Sequence, residues 1–310
     1  MRQQIPVKRG FRDRPYTIKL ELVKGCTRAC DFCAINKVIK PEDRGKFSFS
    51  KKELIIKVAK ECNTWLGKYR IEMGLRGEPL KHPHIIDVVK LLKEHSPKAH
   101  LLIFTNGDTL LKNDKWDLTT IKGLFDAGLN ALVLDSYDKK RVELSKVLKG
   151  QNLGDIKINI DGNCFNYKPK RKEINLTGIT ALGNQNIRNW HNVGGNLPKE
   201  SAKKYGVDID EPLVKSCVKP FRELTITWDG NVCLCCLDWS EDIKFGNITK
   251  ESLQEIYYSR KMDVVRELLT RKQRIFNPCK LCSHFGGFRK GMIVKPNLPE
   301  KTEELLKELK

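Results

Sequence analysis

Short runs rich in aliphatic residues recur along the first half of the chain and predict strands: Tyr16 to Val23, which alternates, then Ile71 to Gly74, His100 to Phe104, Ala131 to Leu134 and Asp155 to Asn159. Between them, Ile85 to Lys93 and Asp117 to Ala127 carry apolar residues at helical spacing, and Cys62 falls in a further predicted helix. The strands end in polar residues. Thr105-Asn106-Gly107 closes one, Asp135-Ser136-Tyr137 the next, and Asp161 follows the last. Repeated strand and helix units with polar strand ends predict a parallel sheet that places ligands above its carboxyl edge.

The pattern changes after Asn184. Asn184 to Asn196 is irregular, with Gly194 and Gly195 allowing close backbone approach, and Leu197 to Pro212 reads as a linker. Phe221 to Trp228 then predicts a strand, Asp229-Gly230 a hairpin turn and Asn231 to Asp238 the return strand. The amphipathic stretch Leu253 to Leu269 is expected to pack on its own domain rather than on a partner.

At 310 residues, 40% hydrophobic and 31% charged, the chain has enough apolar material for a full core. It has no run of about 18 uncharged apolar residues, and no apolar stretch follows the basic start Met1 to Arg14. A cytoplasmic protein without a membrane span or secretory signal is expected. Lysine and arginine total 58 against 38 acidic residues, a formal net charge of +20 that attracts polyanions. This does not favour nucleic acid, because the basic runs Lys8-Arg9, Lys168 to Lys172 and Arg271 to Arg274 have only Tyr167 beside them as a stacking aromatic. The 11 cysteines change the picture more, since in a cytosolic chain they read as reduced thiols and metal ligands rather than as disulfides.

Cys26, Cys30 and Cys33 form C-x3-C-x2-C directly after the first strand, and Gly25 eases the turn. A loop this short can wrap three thiolates around one corner of an iron–sulfur cluster and leave one iron open to a small chelating molecule. A structural zinc would ask for a fourth protein ligand.

With Phe32 before Cys33, this loop resembles the defining C-x3-C-x-aromatic-C loop of the radical S-adenosylmethionine superfamily. The resemblance implies a 4Fe–4S cluster on Cys26, Cys30 and Cys33, S-adenosylmethionine on its open iron, and Phe32 near the cluster and the adenine. Leu75-Arg76-Gly77-Glu78-Pro79-Leu80 is similar to the family's glycine and glutamate motif beneath the cofactor's amino group. Arg76 stands where the family often has glycine, while Gly77 still permits close backbone approach and Glu78 can accept hydrogen bonds from an ammonium. The family further implies Thr105 and Asn106 near the methionyl portion and Asp135 or Ser136 near the ribose or carboxylate, in an α/β fold that is a partial six-unit TIM-type barrel. Arg188, in the irregular segment, is a candidate to fix a carboxylate or phosphate.

A second set of thiols follows. Cys217, the hairpin with Cys233, Cys235 and Cys236, and the closing Cys279-x2-Cys282 can meet in space. Together with Asp229-Gly230-x-Val232, Asp238 and Gly246-Asn247, they resemble the SPASM and Twitch auxiliary-cluster domains of the same superfamily. That resemblance implies Cys217, Cys235, Cys279 and Cys282 as ligands of a fully coordinated second 4Fe–4S cluster, with Cys233 or Cys236 able to replace Cys235. A zinc ion on the same thiols is the alternative. The tail beyond Cys282 has no further cysteine, so one auxiliary cluster is expected. The division implied is a basic segment over 1–15, a barrel domain over 16–200, a small α+β auxiliary domain over 201–290 and a tail over 291–310.

The resemblance implies an oxidoreductase that cleaves S-adenosylmethionine with one electron from a donor such as flavodoxin or ferredoxin and removes hydrogen from an unactivated carbon. The auxiliary cluster then accepts an electron in a dehydrogenation or other oxidation. Tyr137, Asp161 and His191 are candidate proton acceptors. Three alternatives stay open. One is peptide or protein maturation, by crosslinking or thioether formation or by epimerisation with Cys164, Cys233 or Cys236 returning hydrogen; another is RNA or nucleotide modification; the third is a non-enzymatic iron–sulfur scaffold. The expected absence of an extra amino-terminal domain to grasp a leader peptide weighs against the first, the basic charge pulls toward an anionic substrate, phosphorylated or nucleotide-derived, or a structured RNA, and a scaffold needs no open coordination position.

Overall fold

The computed structural model describes residues 14–30, 33–135, 139–160, 170, 172–177, 194, 196–205, 213–284 and 298–309. Nine strands form one sheet: β1 (Thr17–Leu20), β2 (Arg70–Met73), β3 (His100–Thr105), β4 (Ala131–Asp135), β5 (Lys157–Ile160), β6 (Glu173–Thr177), β7 (Glu223–Ile226), β8 (Asn231–Cys233) and β9 (Lys244–Asn247). Their order is β9-β8-β7-β1-β2-β3-β4-β6-β5. Every pairing from β7 through to β5 is parallel, and β8 and β9 add antiparallel.

Alternation along each strand builds both faces of this sheet. Ile18, Leu20, Ile71, Met73, Ile174 and Leu176 join one core with α1 (Lys52–Trp65), α2 (Ile85–His95) and α3 (Leu118–Asp126). The alternate residues lie on the other face, where Leu102, Ala131 and Val133 form a separate small cluster with Phe104 against it. Toward β1 and β7 that face turns polar: Lys19 pairs with Glu72, and Lys219 Nζ lies 3.2 Å from Glu223. Helices on one face and a buried inner face on the other are the wall of a partial barrel.

Four features depart from the sequence reading. The chain reaches β5 at the outer edge through α4 (Lys139–Lys149) and then returns to insert β6 between β4 and β5, so the last two strands are not in chain order. The expected return strand to Asp238 stops at Cys233, because the register shifts between Val232 and Cys233 and the Asp238 carboxylate accepts from the Asp242 and Ile243 N–H groups, turning the chain. The expected linker contains a helix, Lys199–Tyr205. The stretch Leu253 to Leu269 divides into α5 (Leu253–Tyr257) and α6 (Arg260–Thr270), since Ser259 accepts from the Met262 N–H and caps a new helix.

The hairpin unit is not free of the barrel wall. Strand β7 pairs with β1 residue for residue, Thr17 with Glu223 through Leu20 with Ile226. Trp65 of α1 packs edge-on against Tyr257 and Tyr258, at 5.3 and 5.9 Å between ring centroids. Among the described residues no helix is long and apolar enough to cross a membrane.

Candidate active site and auxiliary thiol site

Strand β1 ends at Leu20, and the chain runs through Val23–Lys24, which pairs with Ser48–Phe49, into the thiol loop. Gly25 makes that entry at φ +124°, and its carbonyl accepts from the Glu78 N–H at 2.9 Å. Gly25 and Gly77 also form an isolated parallel bridge. A Cβ at Gly77 would lie 2.0 Å from the Val23 carbonyl oxygen, so only glycine lets the loop after β2 meet the thiol loop.

A cavity of about 250 Å³ opens where these loops meet the ends of β3 and β4. Cys26, Cys30 and Cys33 line it, with Gly77, Glu78, Thr105, Asn106 and Asp135. The Cys30 carbonyl accepts from the Cys33 N–H at 3.0 Å, curling the loop so that the three half-buried thiols share one wall. Asn106 Nδ2 donates to Cys26 Sγ at 3.6 Å, and the Arg28 N–H donates to the same sulfur at 3.4 Å. Arg28 is fixed in turn on Asp108, with Nε and Nη2 at 2.6 and 2.7 Å from its oxygens. Burial pushes the Cys33 thiol up to about 12, so metal uptake there must release protons. Among the described residues, three thiols on the wall of one cavity suit an iron–sulfur cluster with one open corner.

Glu78 is buried at 3% exposure and accepts three hydrogen bonds: from Thr105 Oγ1 at 2.5 Å, the Asn106 N–H at 2.9 Å and the Leu80 N–H at 3.1 Å. Burial raises its carboxyl to about 7 even against these donors. Among the described residues its hydrogen-bond partners are a hydroxyl and two N–H groups, and a carboxylate held rigid in this way suits an incoming ammonium group.

Cys217, Cys235, Cys279 and Cys282 are all buried at 8% exposure. Cys279 has Cys217 and Cys282 as electrostatic neighbours, and Cys235 has Cys279. The three hairpin thiols part company at the turn. Cys235 has Cys236, Lys219 and Glu223 as well as Cys279 among its charged neighbours, Cys236 accepts from Lys219 Nζ at 3.2 Å beside Glu223 and Lys19, and Cys233 lies near Asp238, Glu241 and Arg76. Cys236 is not part of the cavity wall. Arg274, buried at 3% exposure, donates to the carbonyls of Lys215, Ser216, Cys282 and His284 and so ties together the segments that carry these thiols.

Phe32, Ser136, Tyr137, Asp161, Cys164, Arg188 and His191 lie outside the described residues. Cys62 is fully buried in α1. Trp239, on the turn after Cys236, lines the cavity although no motif pointed to it. Arg76, singled out only as a departure from glycine, is buried and makes a bidentate pair with Glu21. That departure was the one signal available in the sequence.

Residues 20–159 match the family model described as the radical SAM superfamily, and residues 217–283 match the SPASM iron–sulfur cluster-binding domain. The S-adenosyl-L-methionine-dependent 2-deoxy-scyllo-inosamine dehydrogenase of Niallia circulans is 22% identical over 268 residues, which span 86% of this chain and 92% of that protein. The crystal structure of BtrN in complex with AdoMet and 2-DOIA superposes with a TM-score of 0.63 at 21% identity, covering 87% of this chain and 94% of that one. Native anSMEcpe with bound AdoMet gives a TM-score of 0.50 at 12% identity, covering 95% and 96%. The two structures are alike in fold.

Proposed function

The chain belongs to the radical S-adenosylmethionine superfamily and carries a SPASM iron–sulfur domain, and from that premise we propose that it dehydrogenates a small hydroxylated ring of the aminocyclitol class. It is an enzyme whose cofactors are S-adenosylmethionine and two 4Fe–4S clusters. The observation that carries the reading is the cavity itself: three thiols, a buried carboxylate and, in the same wall, Trp239 from the auxiliary turn. A substrate held there would meet both a site for radical generation and Trp239 of the turn that follows the auxiliary thiols Cys235 and Cys236. Similarity to a dehydrogenase over most of both chains supports oxidation of a small molecule over peptide crosslinking or RNA modification.

When bound, these groups supply reductive cleavage of S-adenosylmethionine, hydrogen abstraction by the resulting 5'-deoxyadenosyl radical and uptake of the second electron of the oxidation. The protein's part is to hold and orient. Cys26, Cys30 and Cys33 hold the first cluster, and Cys217, Cys235, Cys279 and Cys282 the second. Glu78, fixed by Thr105 and the Asn106 N–H, receives the ammonium of S-adenosylmethionine, which draws its carboxyl back to the charged form. Gly77 lets the backbone come close, and Asn106 and Asp135, which line the cavity, would hold the amino-acid and ribose portions. Phe104, Leu75 and Trp239 exclude water from the carbon to be oxidised. Tyr137, Asp161 and His191 are the candidates to take the alcohol proton, and Arg188 to grip an anionic substituent. Flavodoxin or ferredoxin delivers the priming electron. The barrel unit spans 16–200 and the auxiliary unit 201–290.

The test is deuterium transfer. Anaerobically reconstituted enzyme is incubated with aminocyclitols deuterated at each carbinol carbon, and both 5'-deoxyadenosine and product are analysed by mass spectrometry. Deuterated 5'-deoxyadenosine together with a ketone is expected from one position. Deuterium transfer that leaves the alcohol in place, inverted or crosslinked, overturns dehydrogenation.

A further inference from the structure

The loop that carries Gly77 and Glu78 begins with Arg76, whose side chain is almost wholly buried at 2% exposure. Nε and Nη2 take the two oxygens of Glu21 at 2.8 and 2.7 Å, and the Arg76 N–H donates to Glu21 as well, at 3.2 Å. This pair alone would balance both charges. The guanidinium nevertheless spends its remaining arm across the molecule: Nη1 donates to the Trp239 carbonyl at 3.1 Å and to Glu241 Oε1 at 2.6 Å. Glu21 in turn accepts from the Trp228 N–H at 3.1 Å. One buried side chain therefore joins the end of β1, the loop after β2 and the turn between β8 and β9.

The turn it grips is built for a single position. Trp239 Nε1 donates to the Cys236 carbonyl at 3.0 Å, beside the Cys235 thiol. Glu241 adopts the left-handed region at φ 56°, and its second oxygen accepts from Asn231 Nδ2 at 3.1 Å and pairs with Lys244 at 3.1 Å. Trp239 is the contribution of this turn to the wall of the cavity that holds Glu78. A glycine at position 76 would keep the N–H bond to Glu21 and lose the side-chain bonds to Glu21, Trp239 and Glu241.

We propose that Arg76 is a positioning residue that couples the two units: by holding Trp239 and Glu241 against the Gly77-Glu78 loop, it makes S-adenosylmethionine binding and the order of the 234–243 turn a single linked equilibrium. The inference rests on the reading of the cavity as the S-adenosylmethionine site. Linkage then requires reciprocity, so whatever the ordered turn adds to the affinity for S-adenosylmethionine, bound S-adenosylmethionine must return to the order of the turn.

The experiment uses the anaerobically reconstituted holoenzyme with S-adenosylmethionine as the probe. Hydrogen exchange across residues 234–243 is followed with and without the probe, and its dissociation constant is measured by equilibrium dialysis. The comparison includes Glu241→Gln, which keeps the side-chain volume outside the cavity wall, and Glu78→Gln. Arg76→Ala would strand Glu21 as a buried unpaired charge, so Arg76→Met is combined with Glu21→Leu. S-adenosylmethionine is expected to slow exchange across 234–243 in the native protein. Glu241→Gln and the paired variant are expected to weaken its binding about 5-fold or more and to abolish that protection. Protection confined to the thiol loop and residues 74–78, with an unchanged dissociation constant in Glu241→Gln, overturns the coupling. Binding that is indifferent to Glu78→Gln instead removes the underlying reading of the cavity. If the paired variant does not fold, the native and Glu241→Gln measurements decide.

Discussion

The two thiol sets of this protein are built to opposite specifications. Cys26, Cys30 and Cys33 are half-buried on the wall of a cavity, beside a buried carboxylate held by a hydroxyl and two N–H groups. Cys217, Cys235, Cys279 and Cys282 are buried, with Arg274 beside Cys217 and Cys279 and Lys219 beside Cys217 and Cys235. The first arrangement leaves a place where a small molecule can come and go. The second seals its contents, with the cations Arg274 and Lys219 and the carboxylates Glu223 and Asp238 close by, and a cation at that distance favours added electrons. Openness and electrostatics thus divide the labour within one sheet: exchange at one set, storage at the other.

Replacing one proposed ligand on each side tests the division most severely. Cys30→Ala is expected to abolish 5'-deoxyadenosine formation while the iron content falls from about eight atoms to about four, and Cys235→Ala to remove the other half of the iron and spare uncoupled cleavage. Equal loss of both clusters in either variant would break the comparison. Glu78→Gln comes next, with S-adenosylmethionine affinity down about 10-fold to 100-fold in equilibrium dialysis. Its pH signature has a definite sign. With a folded value of about 7, well above the ordinary carboxylate range, Glu78 adds stability that is complete below its unfolded value of about 4.3 and is lost as pH rises through about 7. The ligand-free native protein should therefore lose melting temperature over that window relative to the Gln variant. S-adenosylmethionine affinity should run the other way, rising with pH as the carboxylate forms.

Arg274→Gln sharpens the electrostatic half of the contrast. Removing this cation should move the auxiliary potential negative, on the order of tens of millivolts in a spectroscopic titration, and leave the first cluster unmoved. The smallest effect is expected at Cys62→Ala. That thiol packs in α1, apart from both sets, so the substitution should cost about 1 kcal/mol in denaturant unfolding and leave both iron content and cleavage intact.

What the sequence made legible was local. The thiol loop, Gly77 with Glu78, and Thr105 with Asn106 each occupy a few consecutive residues at the end of a strand that is plain in the sequence, and the fold brings them to one cavity. Strand β6 was not legible, because Glu173 and Asn175 on its inner face interrupt a five-residue run that follows the basic stretch Lys168 to Lys172. The choice among Cys233, Cys235 and Cys236 could not be made from alternation, since the register shift and the Asp238 turn end the strand before it reaches them all. Arg76 and Trp239 are 163 residues apart, and no pattern in either neighbourhood announces the other.

The parallel pairing of β7 with β1 has a consequence for how such a protein can be shortened. Four residues of β1 find their outer hydrogen-bonding partners only in Glu223–Ile226, so a chain cut before Glu223 would present the strand leading into the thiol loop as a raw edge. Such a fragment would recruit edges from its neighbours and aggregate, whatever clusters it was offered. The carboxyl-terminal unit is the selvedge of the barrel's fabric as well as the carrier of the second thiol set, and a protein stripped of those thiols would still need Glu223–Ile226.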